Sequence, residues 1–579
     1  MVTHKQVGSS THENHLFTTR FWKRDGLILG SFVIFSILNV ILFARYGWLF
    51  GAQDLQFHLQ RIEEVYQTLR HLNFLPAIAT YTFNQNGSAV MSLYPKLPLY
   101  PFALCRLIIG QPIVSYYVGM IFSSFLGLII AFYSYQSVIN RRLSAYIFAA
   151  VYMLSGMTVN YNFYMGDIGI TYSLIFLPLA FAGLYHWLKF GKYKMLALGV
   201  TLICLSHVLN TIFLICTFVI ITIINYHELS KFKFFQLAKA VSLTILLTIS
   251  FWLPAFNFSR TQLVTPYAFA LNGVSITRYL SQTLTNQITY GITLFSLAGF
   301  LLGIVYYRRL TRFLRPLLWL SIAYFLISSS LVPWHAFQST PLRLIQFPWR
   351  LLIFPQFFLT VIFSVAITEL LREIASRRLR GSLVAVILLV TVLLSLDVQH
   401  NHIKFEISSP EINYQLSKSQ GFSYHKGLAW YKITNQYEYE NLMGHIGVAD
   451  YLPQKMRSSF DTVAAPEHYA IIGNTNVVIP TKIQSGPNQA TISIDGQNPL
   501  SHVELPFAIY NAHYRVTLDG KSIPLSKSHR SLLTINHISS GPHKIHVVYE
   551  NFLMTSTVIL LSLFGLIMLM MPSKQQRPR

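Results

Sequence analysis

The feature that most constrains this chain is a series of apolar stretches, each long enough to cross a bilayer, near 26–46, 113–139, 143–159, 169–188, 195–226, 237–255, 289–307, 316–332, 350–371, 382–399 and 553–571. A span needs about 20 residues at roughly 1.5 Å of rise each. The stretch 195–226 is about twelve residues too long for one span, and Ser206-His207 with Asn210 interrupts its middle. Split there, the chain reads as about twelve transmembrane helices. Only 11% of its residues are charged and 53% are hydrophobic, with a mean hydropathy of +0.45. A soluble domain carries roughly 25% charged residues, so lipid is the solvent for most of this chain. The first run, Gly26–Tyr46, is too long for a signal-peptide core and has no small-x-small cleavage site, so it reads as a retained helix.

A net charge of +23 would suggest nucleic acid in a soluble protein, but here it reports topology. Basic clusters stand at every second boundary: Lys5, Arg20, Lys23 and Arg24; Arg141 and Arg142; Lys189, Lys192 and Lys194; Lys231, Lys233 and Lys239; Arg308, Arg309, Arg312 and Arg315; Arg372, Arg377, Arg378 and Arg380; Lys574, Arg577 and Arg579. These hold 23 of the 44 Lys and Arg residues, and the positive-inside rule puts them, with both chain ends, in the cytoplasm. An unsplit 195–226 would reverse every later loop.

The outer segments are then 47–112, 160–168, the His207 turn, 256–288, 333–349 and 400–552. The last differs in kind. Short alternating runs such as Ala490–Ile494, His502–Tyr510, Tyr514–Leu518, Leu532–Ile535 and Lys544–Tyr549 are separated by turn signals at Asp495-Gly496, Asp519-Gly520 and Gly541-Pro542. They predict a β-sandwich at about 485–550, preceded by a mixed, aromatic-rich segment from 400. The expected organisation is a cytoplasmic tail 1–25, a transmembrane domain 26–399 of about eleven helices, an extracytoplasmic domain 400–552, a final helix 553–571 and a tail 572–579. Cys105, Cys204 and Cys216 show no paired spacing, which supports neither a disulfide framework nor a zinc site.

Acidic residues are scarce, so those expected at the outer surface are informative. After the first span, Asp54, His58 and Arg61 recur at i, i+4 and i+7, with Leu55, Leu59 and Ile62 on another face. The pattern predicts an amphipathic helix, either lying at the interface with Asp54 as its N-cap or presenting a carboxylate, an imidazole and a guanidinium to a ligand. Asp167 sits between Gly166 and Gly169 at the foot of the fourth span, as a helix cap or as a functional carboxylate at the membrane edge. His207 falls at an outer turn, where it either satisfies helix-end backbone groups or faces a ligand. In Pro341–Arg350, Arg343 and Arg350 bracket an aromatic segment containing Gln346 and Trp349; arginine binds phosphate bidentately, or snorkels as an interface anchor. Tyr94-Pro95-Lys96 adds a hydroxyl and a cation. A reaction that needs a base for a hydroxyl and cations for a departing phosphate would use such a set. The chain has no Gly-rich nucleotide loop, and a lipid-borne donor removes the need for one.

Asp54-Leu55-Gln56-Phe57-His58-Leu59-Gln60-Arg61-Ile62, Tyr94-Pro95-Lys96-Leu97-Pro98, Leu205-Ser206-His207, Gln346-Phe347-Pro348-Trp349-Arg350, Asp450-Tyr451-Leu452-Pro453, Val516–Lys521 and Gly541-Pro542-His543 occur in an order that resembles bacterial membrane proteins related to the YfhO family and to the "6-pyruvoyl-tetrahydropterin synthase-related" domain. Those resemble glycosyltransferases of the GT-C superfamily. The resemblance implies a bacterial plasma-membrane enzyme that takes a sugar from a polyprenyl-phosphate donor on the outer face and passes it to a cell-envelope glycopolymer or glycolipid. By that resemblance Asp54 is the catalytic base, Asp167 the second acidic residue, with a divalent metal (Mg or Mn) possible between them, and Arg350 the cation for the donor phosphate. His58, Arg61, Tyr94, Lys96, His207, Arg343, Gln346 and Trp349 would shape the substrate site. The sequence departs from the pattern at Gln53, where relatives often have His, and at Asp450, where Glu is commoner. No pterin chemistry follows, because no triad of metal-binding histidines is present. The competing classes are a transporter or flippase of lipid-linked sugars, which needs polar residues deep in several spans, and a non-catalytic envelope assembly factor.

Overall fold

The structure is a computed structural model that describes residues 19–50, 54–264, 269–408, 432–445, 450–459, 469–472 and 478–572. Most of the N-terminal tail, Gln53, the greater part of the segment after 408 and the basic residues from Lys574 onward lie outside the described residues.

The chain is mostly helical with a C-terminal sheet domain. Among the described residues, seven helices are long and apolar enough to cross a membrane: Pro112–Val138, Arg142–Tyr164, Ile168–Phe190, Lys231–Phe258, Pro348–Glu373, Arg377–Ser408 and Phe552–Met570. Shorter apolar helices cover Asp25–Leu38, Leu97–Ile109, Lys194–Cys204, Val208–Ile224, Leu294–Val305 and Leu314–Ser328. The long stretch at 195–226 is indeed two helices, broken at Leu205–His207.

Three boundaries differ from the sequence reading, two of them at polar residues and one because the helix is short. The first apolar run ends as a helix at Leu38 rather than 46, because the Asn39 amide donates to Ser124 Oγ at 3.2 Å and accepts from Ser395 Oγ at 3.4 Å. Within the expected outer loop 47–112 lies the helix Tyr100–Ile109, which exposes Leu104, Leu107 and Ile108; its ten residues are too few to register as a span. The third helix breaks at Leu154-Ser155, where Ser155 Oγ caps Thr158 N, and it resumes as a π-helical turn over Asn160–Tyr164.

Basic clusters meet acidic partners at helix ends. Arg142 pairs with Asp25, Arg141 and Arg372 with Glu369, Arg309 with Glu373, and Lys189 and Lys233 with Glu228. Asp167 and His207 stand at the opposite ends of the helices that carry Arg142, Lys189 and Lys194. Polar residues inside the helical bundle pair with each other: Gln356 Oε1 accepts from Thr293 N at 3.0 Å and from Ser296 Oγ at 2.7 Å. Such closed networks join helices where lipid offers no hydrophobic drive.

The C-terminal domain stacks two antiparallel sheets. One runs Leu532–Ile538, Leu500–Ala508, Tyr469–Ile472, Val478–Pro480; the other runs Lys482–Gly486, Gln489–Gly496, Gly541–Tyr549, Tyr514–Leu518, Lys521–Ile523. Inward Ile492, Ile494, Val503, Leu505, Val516, Leu533, Ile545 and Val547 form its core, as alternation in each strand requires. That core also takes in Ile78 and Ala89 from the segment before Tyr100–Ile109, Phe258 from the end of Lys231–Phe258, and Leu452 and Met456. The sheet domain is thus built onto the loops at that end of the helices.

The helix Leu55–Arg70 lies beneath this junction, and both of its faces are enclosed: Leu55, Leu59 and Ile62 are buried, and so are His58, Gln60, Arg61 and Glu64. It is therefore not an interfacial helix with a wet polar face. Glu64 accepts from the peptide N–H groups of Thr80, Tyr81 and Thr82 at 3.0, 2.9 and 3.1 Å and from Thr82 Oγ1 at 3.0 Å, while Gln60 Oε1 accepts from Phe83 N at 2.8 Å. Thr80 in turn donates to Gly486 O at 2.7 Å, and Ser485 Oγ donates to Thr80 O. Glu64→Ala leaves three buried N–H groups without an acceptor, each worth about 1–3 kcal/mol. Chemical unfolding of the purified variant should show a loss of about 3 kcal/mol or more; a loss below about 1 kcal/mol would contradict the clamp.

Candidate active site

Asp54 occupies the N-cap position of Leu55–Arg70, yet its side chain makes no capping hydrogen bond. Its backbone is fixed: the Asp54 N–H donates to Met165 O at 2.9 Å, and its carbonyl accepts from His58 N at 3.1 Å. The carboxylate stays available. Asp167 and His207 do cap, with Oδ1 accepting from Ile170 N at 2.9 Å and Nδ1 accepting from Asn210 N at 3.2 Å. Three helix N-termini, those of Leu55–Arg70, Ile168–Phe190 and Val208–Ile224, therefore meet in one region, and their partial positive charges favour an anion there.

The glycines beside Asp167 have separate tasks. Gly166 has φ +62°, a left-handed conformation that a side chain rarely adopts. At Gly169 a Cβ would lie 2.9 Å from Ser206 O, 3.0 Å from Tyr94 Oη and 3.3 Å from Asp167 Oδ1. The close approach of these backbones brings Tyr94, Asp167 and the His207 turn together.

His58 Nε2 lies 3.7 Å from Asp167 Oδ1, and its Nδ1 faces Arg61 Nη1 at 3.4 Å. Because arginine only donates, Nδ1 is the acceptor and Nε2–H points to Asp167. Arg61 is fully buried; Nη2 donates to Tyr94 O at 3.1 Å and Pro95 O at 2.6 Å, and its guanidinium sits 4.5 Å over the Tyr94 ring. Lys96 also turns inward, donating to Pro76 O at 2.9 Å and Met91 O at 3.3 Å. Arg61 and Lys96 thus brace the loop that carries Tyr94.

Arg350 stands in the turn Pro348–Leu352, far along the chain from the other groups of the site. Its Nη1 donates to Gln346 Oε1 at 2.8 Å, its guanidinium lies 5.1 Å from the centre of the Phe347 ring, and its Nε is buried without a partner among the described residues. Trp349 is buried, stacking on Tyr161 of the π-helical turn at 6.3 Å. Arg343 is exposed and is not among the groups that act on Asp54.

Electrostatics separate the two carboxylates. Asp54 is exposed to solvent but crowded by protein on most sides, and that burial raises its pKa to about 7; the negative charges of Asp167 and Asp450 add to the rise and Arg350 opposes it. Burial also pushes Asp167 upward, but the facing His58, the His207 ring and the Ile170 N–H outweigh it and hold this carboxyl well below the ordinary range. Burial lowers His207 to about 4 and lowers His58 as well, so both rings are neutral near pH 7. Arg61, lowered by burial to about 10, remains charged.

Two neighbours of Asp54, Asp450 and Tyr451, had no assigned part in the sequence reading. The Tyr451 ring stands 6.3 Å from both the Tyr94 and Phe57 rings. Their only sequence signal is the Asp-Tyr-Leu-Pro motif, which lies far along the chain from everything else in the site. Among the described residues, no group of three or more His, Cys, Asp or Glu side chains is arranged to hold a metal ion.

Residues 91–404 match a protein family described as a 6-pyruvoyl-tetrahydropterin synthase related domain, membrane protein. That stretch contains Tyr94, Asp167, His207 and Arg350, while Asp54 and Asp450 lie on either side of it. No curated protein matches the chain. Two cryo-EM structures of the arabinofuranosyltransferase AftD from mycobacteria, one of them a mutant, are similar to it at 14% identity and a TM-score of 0.43, over 69% and 65% of this chain. The chain spans 28% of the length of those proteins.

Asp167→Asn removes a negative neighbour, so Asp54 should titrate below about 7, closer to its ordinary 3.8. The pH dependence of carbodiimide labelling at Asp54, which needs the protonated acid, measures this shift. An unchanged midpoint would show that the two carboxylates do not share a site. The linkage has a fixed sign: Asp54 contributes stability that is complete below about pH 3.8 and is lost as the pH rises through about 7.

Proposed function

The chain belongs to the family of membrane proteins described as 6-pyruvoyl-tetrahydropterin synthase related, and from that premise we propose that it is a GT-C-type glycosyltransferase that moves a sugar from a polyprenyl-phosphate donor to a cell-envelope hydroxyl. The observation that carries this reading is geometric: the exposed Asp54 carboxylate makes no capping bond, the Asp167 carboxylate beside it is engaged by Ile170 N–H and faced by His58, and Arg350 has an Nε unpartnered among the described residues. A general base works best with a pKa near the working pH, and Asp54 at about 7 meets that condition.

In the proposed step, Asp54 takes the proton of the acceptor hydroxyl as its oxygen attacks the anomeric carbon from the face opposite the phosphate. The bond from that carbon to the phosphate oxygen breaks, and the electron pair leaves with the polyprenyl phosphate. Arg350 and the converging helix N-termini stabilise the leaving anion. Asp167 stays ionised, orients His58 and keeps Asp54 basic. Asp54 then returns its proton to water. The product has the inverted configuration. A divalent metal is left out of the step: Asp167 Oδ1 is already engaged by Ile170 N–H and faced by His58, and two carboxylates beside two arginines make a poor cation site.

In this reading the chain makes twelve passes of a bacterial plasma membrane, with both termini in the cytoplasm and the site and sheet domain outside. The acceptor is a cell-surface glycopolymer or glycolipid. The exposed Asp54 and the half-buried Arg350, Asp450 and Tyr94 form the face open to substrates.

The test is transfer of labelled sugar from polyprenyl phosphate by purified protein. The rate should rise with pH through about 7 and then level, because the ionised form of Asp54 is the base. Asp54→Asn should lower kcat by about 10²–10⁴-fold with membrane insertion intact, and Arg350→Gln should raise the KM for donor. An Asp54→Asn variant with retained activity would overturn the assignment.

A further inference from the structure

We propose that the sheet domain is a working part of the active site, with Tyr510 as a positioning residue that holds Asp450 and Tyr451 against Asp54. The inference rests on the transferase reading and extends the site to a domain from which the sequence analysis named no site residue.

Tyr510 follows the strand Leu500–Ala508 and is buried. Its single hydroxyl joins two distant segments, donating to Tyr451 O at 3.1 Å and accepting from Ala89 N at 3.1 Å. Its own carbonyl accepts from Thr261 Oγ1, and its ring packs edge-on to Phe258 at 5.4 Å. One side chain of the sheet domain therefore ties together the first outer loop, the end of a long helix and the segment that carries Asp450.

That segment needs holding. Tyr451 has φ +68°, an uncommon and costly conformation for a bulky residue, which persists where the surroundings over-determine it. The restraints are Tyr451 N–H to Val264 O at 3.0 Å, Val264 N–H to Leu452 O at 2.8 Å, Gln454 N–H to Gln262 O at 2.8 Å, and Tyr510 Oη on the Tyr451 carbonyl. In this conformation the Tyr451 ring reaches the Tyr94 and Phe57 rings, and Asp450 is brought close enough to act on Asp54. Without the Tyr510 hydroxyl one of these restraints is gone, and the Tyr451 backbone relaxes more readily towards negative φ. That rotation withdraws both side chains. The groups that face Asp54 are Asp167 with His58 behind it, Arg350, Tyr94, Tyr451 and Asp450; of these, only Asp450 and Tyr451 depend directly on Tyr510.

Tyr510→Phe in the full-length protein keeps the ring and deletes one hydroxyl. Hydrogen exchange should quicken by about fivefold to tenfold at the amides of Tyr451, Gln454 and Val264, with strand Gly541–Tyr549 unchanged. In the transfer assay, kcat should fall, and the acid limb of the pH–rate profile should move down because the charge of Asp450 no longer raises Asp54. Asp450→Asn should reproduce the shift of that limb without the change in exchange. Unchanged exchange at those amides, or an unmoved acid limb beside faster exchange, would overturn the positioning role. A wild-type protein that fails to transfer sugar would refute the transferase reading instead, and the exchange result would then decide the positioning role by itself.

Discussion

Two carboxylates, Asp54 and Asp167, share one crowded corner of this protein, Asp167 buried and Asp54 at its open side, and like charges so placed cannot both ionise cheaply. The chain resolves the conflict by giving Asp167 nearly all the support. The Ile170 N–H, the His58 ring and the His207 ring keep it an anion, while Asp54 receives no capping bond and sits against that anion with only Arg350 opposing. The outcome is one acid that never protonates near neutrality and one poised to exchange a proton. Pairs of titratable groups pushed apart by their surroundings are how a fold assigns acid–base roles.

The loops around that corner hold it in place. Gly169 lets the Tyr94 hydroxyl and the Ser206 carbonyl approach the backbone beside Asp167, Arg61 and Lys96 donate to loop carbonyls, and Glu64 fastens the loop at 80–82 to the helix Leu55–Arg70. Through Thr80 and Ser485 the same clamp reaches the sheet domain. The Asp54 backbone is bonded to the π-helical turn through Met165 O and to its own helix through His58 N–H, and in the proposed step a base fixed in this way loses little entropy in acting.

Much of this was legible in the sequence. Apolar length and the spacing of basic residues located the helices, including the break at His207, because lipid imposes a length and a sidedness that the residues must obey. The alternating runs from Ala490 to Tyr549 marked the sheets. The scarcity of acids singled out Asp54 and Asp167, and glycine chemistry explained why Asp167 stands where backbones approach. What escaped was tertiary in origin. Periodicity gave Leu55–Arg70 a polar face but could not say that folding would enclose it, so nothing in the pattern marked Glu64 and Gln60 as buried clamps. Lys96 and Arg61 read as free cations because only the folded loop supplies the carbonyls that occupy them. Asp450 and Tyr451 lie in a short motif without periodicity, and their place beside Asp54 depends on a hydroxyl of Tyr510 that no local pattern reveals.

The central claim is that Asp54 serves as the base in a direct displacement at an anomeric carbon. Its most direct test is the anomeric configuration of the product, read by NMR after the purified protein, in vesicles, has acted on an isotope-labelled polyprenyl-phosphate sugar and an acceptor. A product of configuration opposite to the donor is expected. Retention of configuration, or movement of the intact lipid-linked sugar across the bilayer with no new glycosidic bond, would contradict it.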